Sequence, residues 1–292
     1  MIKGTLPGFK IKELSQETFN KFRELIYRET GISMGNGKRI LVSNRLRKRL
    51  IELCMDNYES YYKYLVNSLE GKSELANFID AISTNETYFY RGDNQFEALE
   101  RFILPELFSK KSSLKIWSAG CSTGEEPYTI KMVIMESKKS NSWNGNVQIY
   151  ATDISKEAIE KAKEGTYSGR TLNFMPEIYL KKYFIKKNSE IYVIKDEIKK
   201  NIIFLSHNLL KDSPPSSSFD IIFCRNVMIY FDRITQKKLV DDYFAPVLNR
   251  DGYLFIGHSE SLIGKSEKFQ YAHILRSPIY ILNNKTAGKG KK

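Results

Sequence analysis

A chain of 292 residues, 41% of them hydrophobic, can bury a substantial core and is longer than one small module requires, yet no run approaches the roughly 20 apolar residues of a membrane-spanning helix. The most apolar stretch, 219–231, is broken by Arg225 and Asn226, residues 1–10 lack the apolar core of a secretion signal, and three distant cysteines (Cys54, Cys121, Cys224) argue against a disulfide framework or a cysteine-held zinc, so a reduced, cytoplasmic protein without membrane insertion is expected. Forty-six Lys and Arg against thirty-four Asp and Glu give a net charge of +12, which favours an anionic partner but does not choose among nucleic acid, an acidic protein surface and a membrane face.

The first eighty residues read as helical. Ser15 can cap a segment with Phe19, Phe22, Leu25 and Ile26 at helical spacing, and Gly31 offers a C-terminal stop. A second helix is predicted over 43–54, with Leu46, Leu50, Ile51 and Cys54 on one side and Arg45, Arg47, Lys48 and Arg49 turned largely away. A third and a fourth follow over 58–69 and 73–82, the last with Leu75, Phe78, Ile79 and Ile82 on one stripe.

Beyond a polar crossing at 84–91 the rhythm changes. Strands are predicted over 114–119, 147–152, 202–206, 219–224, 253–257 and 278–282, with helices over 126–137, 155–163 and 235–248. Such alternation implies crossover units and a mainly parallel sheet covered on both faces. Between 167 and 201 the alternation fails, leaving a helix-like piece (176–184) and a short strand (190–195), which reads as an insertion. The tail, 285–292, alternates Lys with Gly, Ala and Thr and cannot build a core.

In a doubly wound sheet the ligand lies beyond the carboxyl ends of the strands. After the first strand comes Gly120-Cys121-Ser122-Thr123-Gly124-Glu125-Glu126-Pro127-Tyr128, a glycine turn opening a helix with Pro in its first turn. This is not the Gly-x-Gly-x-x-Gly of dinucleotide binding, and its two carboxylates would repel a pyrophosphate while suiting a ligand with positive charge. Asp153, ending the second strand, is placed to accept hydrogen bonds from ribose hydroxyls; it would equally serve as the cap of the next helix. A cationic, ribose-bearing ligand without phosphates describes S-adenosylmethionine. The three histidines, His207, His258 and His273, are too few and too scattered for a metal site or a catalytic triad and read as satisfied structural residues.

These motifs, together with Thr84-Asn85-Glu86-Thr87-Tyr88-Phe89-Tyr90-Arg91, Asn208-Leu209-Leu210, Phe223-Cys224-Arg225-Asn226-Val227-Met228-Ile229-Tyr230-Phe231 and Gly257-His258-Ser259-Glu260-Ser261, resemble the chemotaxis receptor glutamate methyltransferases, the CheR family, over roughly 19–282. The resemblance implies a Rossmann-like class I S-adenosylmethionine-dependent methyltransferase domain (96–284) with a small inserted β-subdomain (about 167–201). An all-α domain (1–83) and a linker (84–95) that contributes to the cofactor site would precede it, and a disordered Lys-rich tail (285–292) would follow. It implies transfer of a methyl group to glutamate side chains on the cytoplasmic methylation helices of chemoreceptors, serving adaptation, with S-adenosylhomocysteine as product.

Carried onto this sequence, the resemblance implies that Asn85, Thr87 and Arg91 reach the cofactor and that Gly120 and one of Glu125 and Glu126 lie by its methionine part. Asp153 would hold the ribose, Asn208 and Leu209 would flank the adenine, and Arg225, Asn226 and Val227 would line the floor. Arg91 and Tyr230 would lie nearest the transferred methyl. The residues themselves leave plainer alternatives open: Tyr230 as core, Arg91 as a linker charge, Asn208 as a turn residue, Arg225 as an ion-pair partner of Glu125 or Glu126. A glutamate acceptor, with a pKa of about 4.3, is already ionised at neutral pH, so no general base is needed and positioning and desolvation are the catalytic contributions.

The cationic set Arg45, Arg47, Lys48 and Arg49 offers a face to glutamate-rich receptor helices; an ordinary solvated helix face is the alternative. Some family members capture a pentapeptide at the receptor C-terminus with a glycine-rich loop, and the corresponding Ile185-Lys186-Lys187-Asn188-Ser189-Glu190-Ile191 has no glycine, so a peptide-independent enzyme is expected. A monomer recruited to membrane receptor arrays is expected too. A nucleic-acid methyltransferase fits the charge, but the strand ending at Cys224 lacks the Asn/Asp-Pro-Pro-aromatic motif of amino-group methylation, and no Pro-Cys nucleophile for cytosine exists. A non-catalytic cofactor sensor is the rival from another class, against which the set Arg91, Asp153, Asn226 and Tyr230 speaks.

Overall fold

The computed structural model describes residues 11–283, so the expectations on the first ten residues and on the Lys-rich tail lie outside the described residues. The chain divides into two compact units, one ending at Thr84 and the other starting at Asn85.

Among its described residues the first unit holds four α-helices, α1 (Gln16–Thr30), α2 (Arg39–Glu52), α3 (Tyr58–Asn67) and α4 (Leu69–Ile82). Ser15 Oγ accepts the Thr18 N–H at 3.1 Å at the start of α1, and Gly31 closes it in the left-handed conformation at φ 74°. The apolar stripes meet in a core where the Phe22 and Phe78 rings stack at 5.8 Å beside buried Phe19, Leu46, Leu50 and Tyr61. Helix α2 begins at Arg39 and not at 43, because a 3-10 turn at Asn36–Lys38 leads directly into it.

The second unit opens with a helical stretch that no sequence expectation covers: α5 (Asp93–Ala98), a π segment (Leu99–Ile103) and α6 (Leu104–Lys110). Its buried residues, Phe96, Leu99, Ile103, Leu104, Leu107 and Phe108, keep no single 3.6-residue phase, because the π segment shifts the register in the middle. Then follow β1 (Ser113–Ala119), α7 (Glu125–Ser140), β2 (Asn146–Asp153) and α8 (Lys156–Glu164), and after them an insertion made of β3 (Thr166–Ser168), α9 (Glu177–Tyr183), β4 (Phe184–Lys186), β5 (Ile191–Ile194) and α10 (Asp196–Lys199). The main sheet resumes with β6 (Ile202–Ser206) and β7 (Phe219–Cys224), then α11 (Arg233–Lys238), β8 (Leu248–Ile256), β9 (Phe269–Tyr271) and β10 (Ile279–Leu282).

The seven strands of the main sheet run in the order β6-β2-β1-β7-β8-β10-β9, parallel from β6 to β8 and antiparallel at β10 and β9. The order reverses direction at β1 and β7, which places the ligand crevice beyond their carboxyl ends. The insertion is a three-stranded antiparallel sheet, β3-β5-β4, where the sequence shows one strand; each flanking strand is only three residues long, too short for a visible alternation. Its β4–β5 connection turns without glycine, the Asn188 Oδ1 accepting from Glu190 N at 2.9 Å and Ile191 N at 2.8 Å.

The helix predicted over 235–248 is corrected at both ends. It starts at Arg233, capped by Asp232, passes into a π segment at Leu239–Phe244, and stops before Pro246, which cannot donate to a continuing helix. Strand β8 accordingly begins at Leu248, opposite Phe219, well before 253.

Candidate active site

The turn after β1 is built by backbone geometry that few residues adopt. Gly120 (φ 92°) and Gly124 (φ 97°) take left-handed conformations, as does Ser122 at φ 49°. A Cβ on Gly120 would stand 2.3 Å from Val227 Cγ2, so the β1 turn and the segment after β7 approach more closely than any side chain at 120 allows. Thr152 O accepts both Gly120 N at 2.8 Å and Cys121 N at 2.9 Å, fastening the turn to β2.

Asp153 is buried at the end of β2, where its carboxylate accepts Ser122 N at 2.8 Å and Ser155 N at 2.9 Å. Ser155, not Asp153, caps α8, accepting Ala158 N at 3.0 Å. The capping alternative for Asp153 is thereby overturned. The carboxylate instead fixes the glycine turn to the second strand.

Glu125 and Glu126 open α7 and fare differently. Glu126 accepts Ser118 Oγ at 2.7 Å and the Arg225 guanidinium at 3.1 Å. Arg225 also donates to Gln95 Oε1 at 2.5 Å and to the Arg91 carbonyl, with its guanidinium 5.1 Å from the Phe96 ring centre. Its side chain therefore works as a buried strut beneath the site, which is the ion-pair alternative, realised with Glu126. Glu125 is 1% exposed and accepts the Thr123 hydroxyl at 2.7 Å; burial, opposed by that bond, raises its pKa to about 7.

The segment 85–91 lies against this turn. Ser122 Oγ donates to Asn85 O at 2.9 Å, and Asn85 Nδ2 donates to Ser155 Oγ at 3.3 Å. Thr87 and Arg91 are half-buried, and Arg91 folds back to donate to Glu86 O at 2.9 Å, its guanidinium 5.6 Å from the Tyr88 ring centre. Arg91 is thus positioned by its own segment and is more than a freely solvated linker charge. After β6, Leu209 is buried, and Asn208 shapes the turn, its Oδ1 accepting Leu210 N at 3.0 Å and its own N–H donating to Asp212 Oδ2 at 2.8 Å. His207, just before it, is buried with Nε2 lacking a protein partner and Nδ1 3.8 Å from Asp212, against the expectation of a satisfied histidine; burial lowers its pKa, Asp212 opposing.

After β7, Asn226 adopts φ 59° and Met228–Tyr230 forms a 3-10 turn. Tyr230 is half-buried, not part of the core, so the core alternative for it fails. What shapes this turn is Glu260, which the motif Gly257-His258-Ser259-Glu260-Ser261 contains without marking it out. Glu260 is buried and accepts Asn226 N at 3.1 Å, Ile229 N at 3.1 Å and Gly257 N. Its signal was an acidic residue three places after Gly257, the glycine that follows β8. Gln95, fully buried between Ile256 O and Arg225, carried no signal, since its helix was not legible.

The cationic face expected on α2 is largely dismantled. Arg49 makes a two-pronged pair with Glu74, both contacts at 2.7 Å, and also meets Glu52; Arg45 donates to Ile82 O and to Thr84 Oγ1 at 2.8 Å, closing the end of α4. Only Arg47 and Lys48 of the four stay exposed, and Lys48 stands 3.8 Å from Glu52.

The donor set fits S-adenosylmethionine: three buried or half-buried carboxylates gather where β1 and β2 end, Glu126 paired with Arg225, whose guanidinium is thereby neutralised, and Glu125 buried against a hydroxyl, which suits a cation with a diol and not a phosphate. Comparison with known proteins agrees. Residues 17–83 match the family model described as CheR methyltransferase, all-alpha domain, and residues 85–277 match CheR methyltransferase, SAM binding domain. The chemotaxis protein methyltransferase of Borreliella burgdorferi is 38% identical over 257 residues, covering 86% of this chain and 90% of that protein. The Escherichia coli protein of the same description is 34% identical over 88% of each chain. The chain belongs to the CheR methyltransferase family.

Proposed function

We propose that this S-adenosylmethionine-dependent methyltransferase esterifies glutamate side chains on the methylation helices of chemoreceptors, from the cytoplasmic side. The observation that carries the reading is the convergence of Asp153, Glu125 and Glu126 on one glycine turn, faced by the Asn226–Tyr230 turn that Glu260 holds. S-adenosylmethionine supplies a methyl group activated by its sulfonium charge. Asp153 would accept the ribose hydroxyls, one of the two glutamates would accept the ammonium, Asn85 and Thr87 would close over the cofactor, and Asn208 with Leu209 would border the adenine. Gly120, Asn226 and Val227 shape the floor, with Arg225 bracing it from below.

The acceptor carboxylate needs no base, so the residues around it orient and exclude water. Arg91, held by Glu86 O and the Tyr88 ring, is poised to orient the acceptor, and Tyr230 to pack and hydrogen-bond beside the methyl. Charge would be neutralised as carboxylate and sulfonium become ester and thioether, so a strongly polar contact to the reacting groups would favour the reactants over the transition state, which is why Arg91 and Tyr230 are assigned to orientation. Arg47 and Lys48 remain as receptor contacts on α2. The glycine-free β4–β5 turn supports an enzyme that needs no receptor pentapeptide.

The test is transfer of labelled methyl from S-adenosylmethionine to chemoreceptor-containing membranes, followed by mild alkali. Base-labile label on the receptors, released as methanol, is expected, with turnover falling at least tenfold in both Arg91→Ala and Tyr230→Phe. Alkali-stable label would replace the carboxylate acceptor with a nitrogen, and undiminished turnover in both variants would remove these residues from the methyl-transfer step.

A further inference from the structure

Three isoleucines that the cofactor site does not use stand out of the surface of the second unit: Ile229 is 47% exposed, Ile234 80% and Ile263 77%. A single exposed isoleucine needs no explanation. These three come from separate segments that hydrogen bonds draw to one rim. Ile229 N donates to Glu260, the carboxylate that also holds Asn226, and Ile263 lies three residues beyond Glu260. Arg233, adjoining Ile234, donates to Gly264 O at 2.6 Å, tying the start of α11 to the loop that carries Ile263. Tyr230 follows Ile229 directly, so the rim is continuous with the proposed methyl-transfer site. Arg233 is exposed there and Lys265 half-buried, so the apolar rim carries positive charge.

We propose that Ile229, Ile234 and Ile263 form the surface on which the acceptor segment docks, and that the occupant is an amphipathic helix presenting apolar side chains to the isoleucines and acidic ones to Arg233 and Lys265. This rests on the chemoreceptor reading above and moves the main docking surface from the largely self-paired α2 to the transferase unit. An acidic amphipathic helix satisfies both the apolar area and the charge, as helix-in-groove recognition does. It also brings a glutamate on the same helix to the neighbourhood of Tyr230.

The experiment compares the full chain with Ile234→Glu/Ile263→Glu and with the milder Ile234→Ser/Ile263→Ser, using receptor-containing membranes as substrate. The docking surface requires the receptor KM to rise about tenfold in the glutamate pair and less in the serine pair, with S-adenosylmethionine affinity and melting temperature as in the wild type. Unchanged receptor KM in both pairs, while the wild type labels receptors, overturns the surface and leaves the function standing. A wild type that labels no receptor overturns the function and the surface with it. A wild-type dimer that both pairs convert to monomer with unchanged receptor KM assigns the rim to a second copy and overturns the proposal.

Discussion

Glu74 in the helical unit and Glu125 at the glycine turn are both almost fully buried carboxylates, and they are treated in opposite ways. Burial pushes Glu74 up, but the hydrogen bonds from Arg49, Asn77 and the Tyr61 hydroxyl outweigh it and hold its pKa below the ordinary range. Glu125 has the Thr123 hydroxyl in place of a guanidinium, and burial raises it to about 7. A carboxylate that is fully satisfied within the protein is a structural device. One that is buried without a cation carries a desolvation cost that an arriving positive charge would relieve.

Arg49 is the side chain on which the low pKa of Glu74 most depends. Replacing it with Met strands the Glu74 charge among Tyr61 and the Phe22–Phe78 stack, and removing one partner of a buried pair costs about 3–5 kcal/mol. Guanidinium unfolding of Arg49→Met should show that loss in the helical unit. Calorimetric titration of the folded variant should find S-adenosylmethionine affinity unchanged. A drop below 1 kcal/mol would mean that Glu74 simply takes up a proton and that the pair contributes little.

Glu125→Gln sharpens the contrast through pH. The folded-state pKa lies near 7 against about 4.5 unfolded, so the folded protein binds the extra proton; the stability it contributes is present below about pH 4.5 and lost as pH rises through about 7. The amide has no such loss. The two proteins should therefore be equally stable at pH 4.5, while at pH 8 the variant should be more stable by about 3 kcal/mol, at roughly 1.4 kcal/mol per pH unit. Urea midpoints across that range measure it, and parallel curves would show the carboxyl to be ionised throughout. Repeating the series with S-adenosylmethionine decides between neighbours: stabilisation by the ligand that grows through pH 7 in the wild type alone assigns the ammonium contact to Glu125, and stabilisation of the same size in both proteins at every pH assigns it to Glu126.

Much of this contrast was legible from sequence, and the part that was not has physical causes. The paired glutamates, the two glycines and Asp153 lie within single motifs, and their turn geometry follows from local backbone requirements. The fate of Arg45 and Arg49 did not, because helical periodicity tells which residues leave the core but not which find Glu74 or Ile82 O on another helix. The stretch at 93–110 went unread because its π segment shifts the apolar phase, and with it went Gln95, whose two bonds reach Arg225 and Ile256 far along the chain. Pro246 was a readable stop signal that the helical spacing around it masked.

Glu260 lies between the two extremes and gives the smallest effect. It has no cation, yet backbone N–H groups of Gly257, Asn226, Ile229 and Met228 point at it; burial raises its pKa and these donors pull it back. Glu260→Gln keeps the shape and one acceptor oxygen while turning an amide NH2 towards donors, so the cost is one or two poorly satisfied groups, about 1–2 kcal/mol. Stability is not where the change should matter most. Asn226 sits at φ 59°, a conformation this carboxylate helps to hold, and relaxing it moves the floor against Gly120. The KM for S-adenosylmethionine should therefore rise several-fold, and because Ile229 N hangs on the same carboxylate the receptor KM should rise with it, by a smaller factor. A variant that loses the same stability with both KM values unchanged would reduce Glu260 to a structural clamp, the counterpart of Glu74.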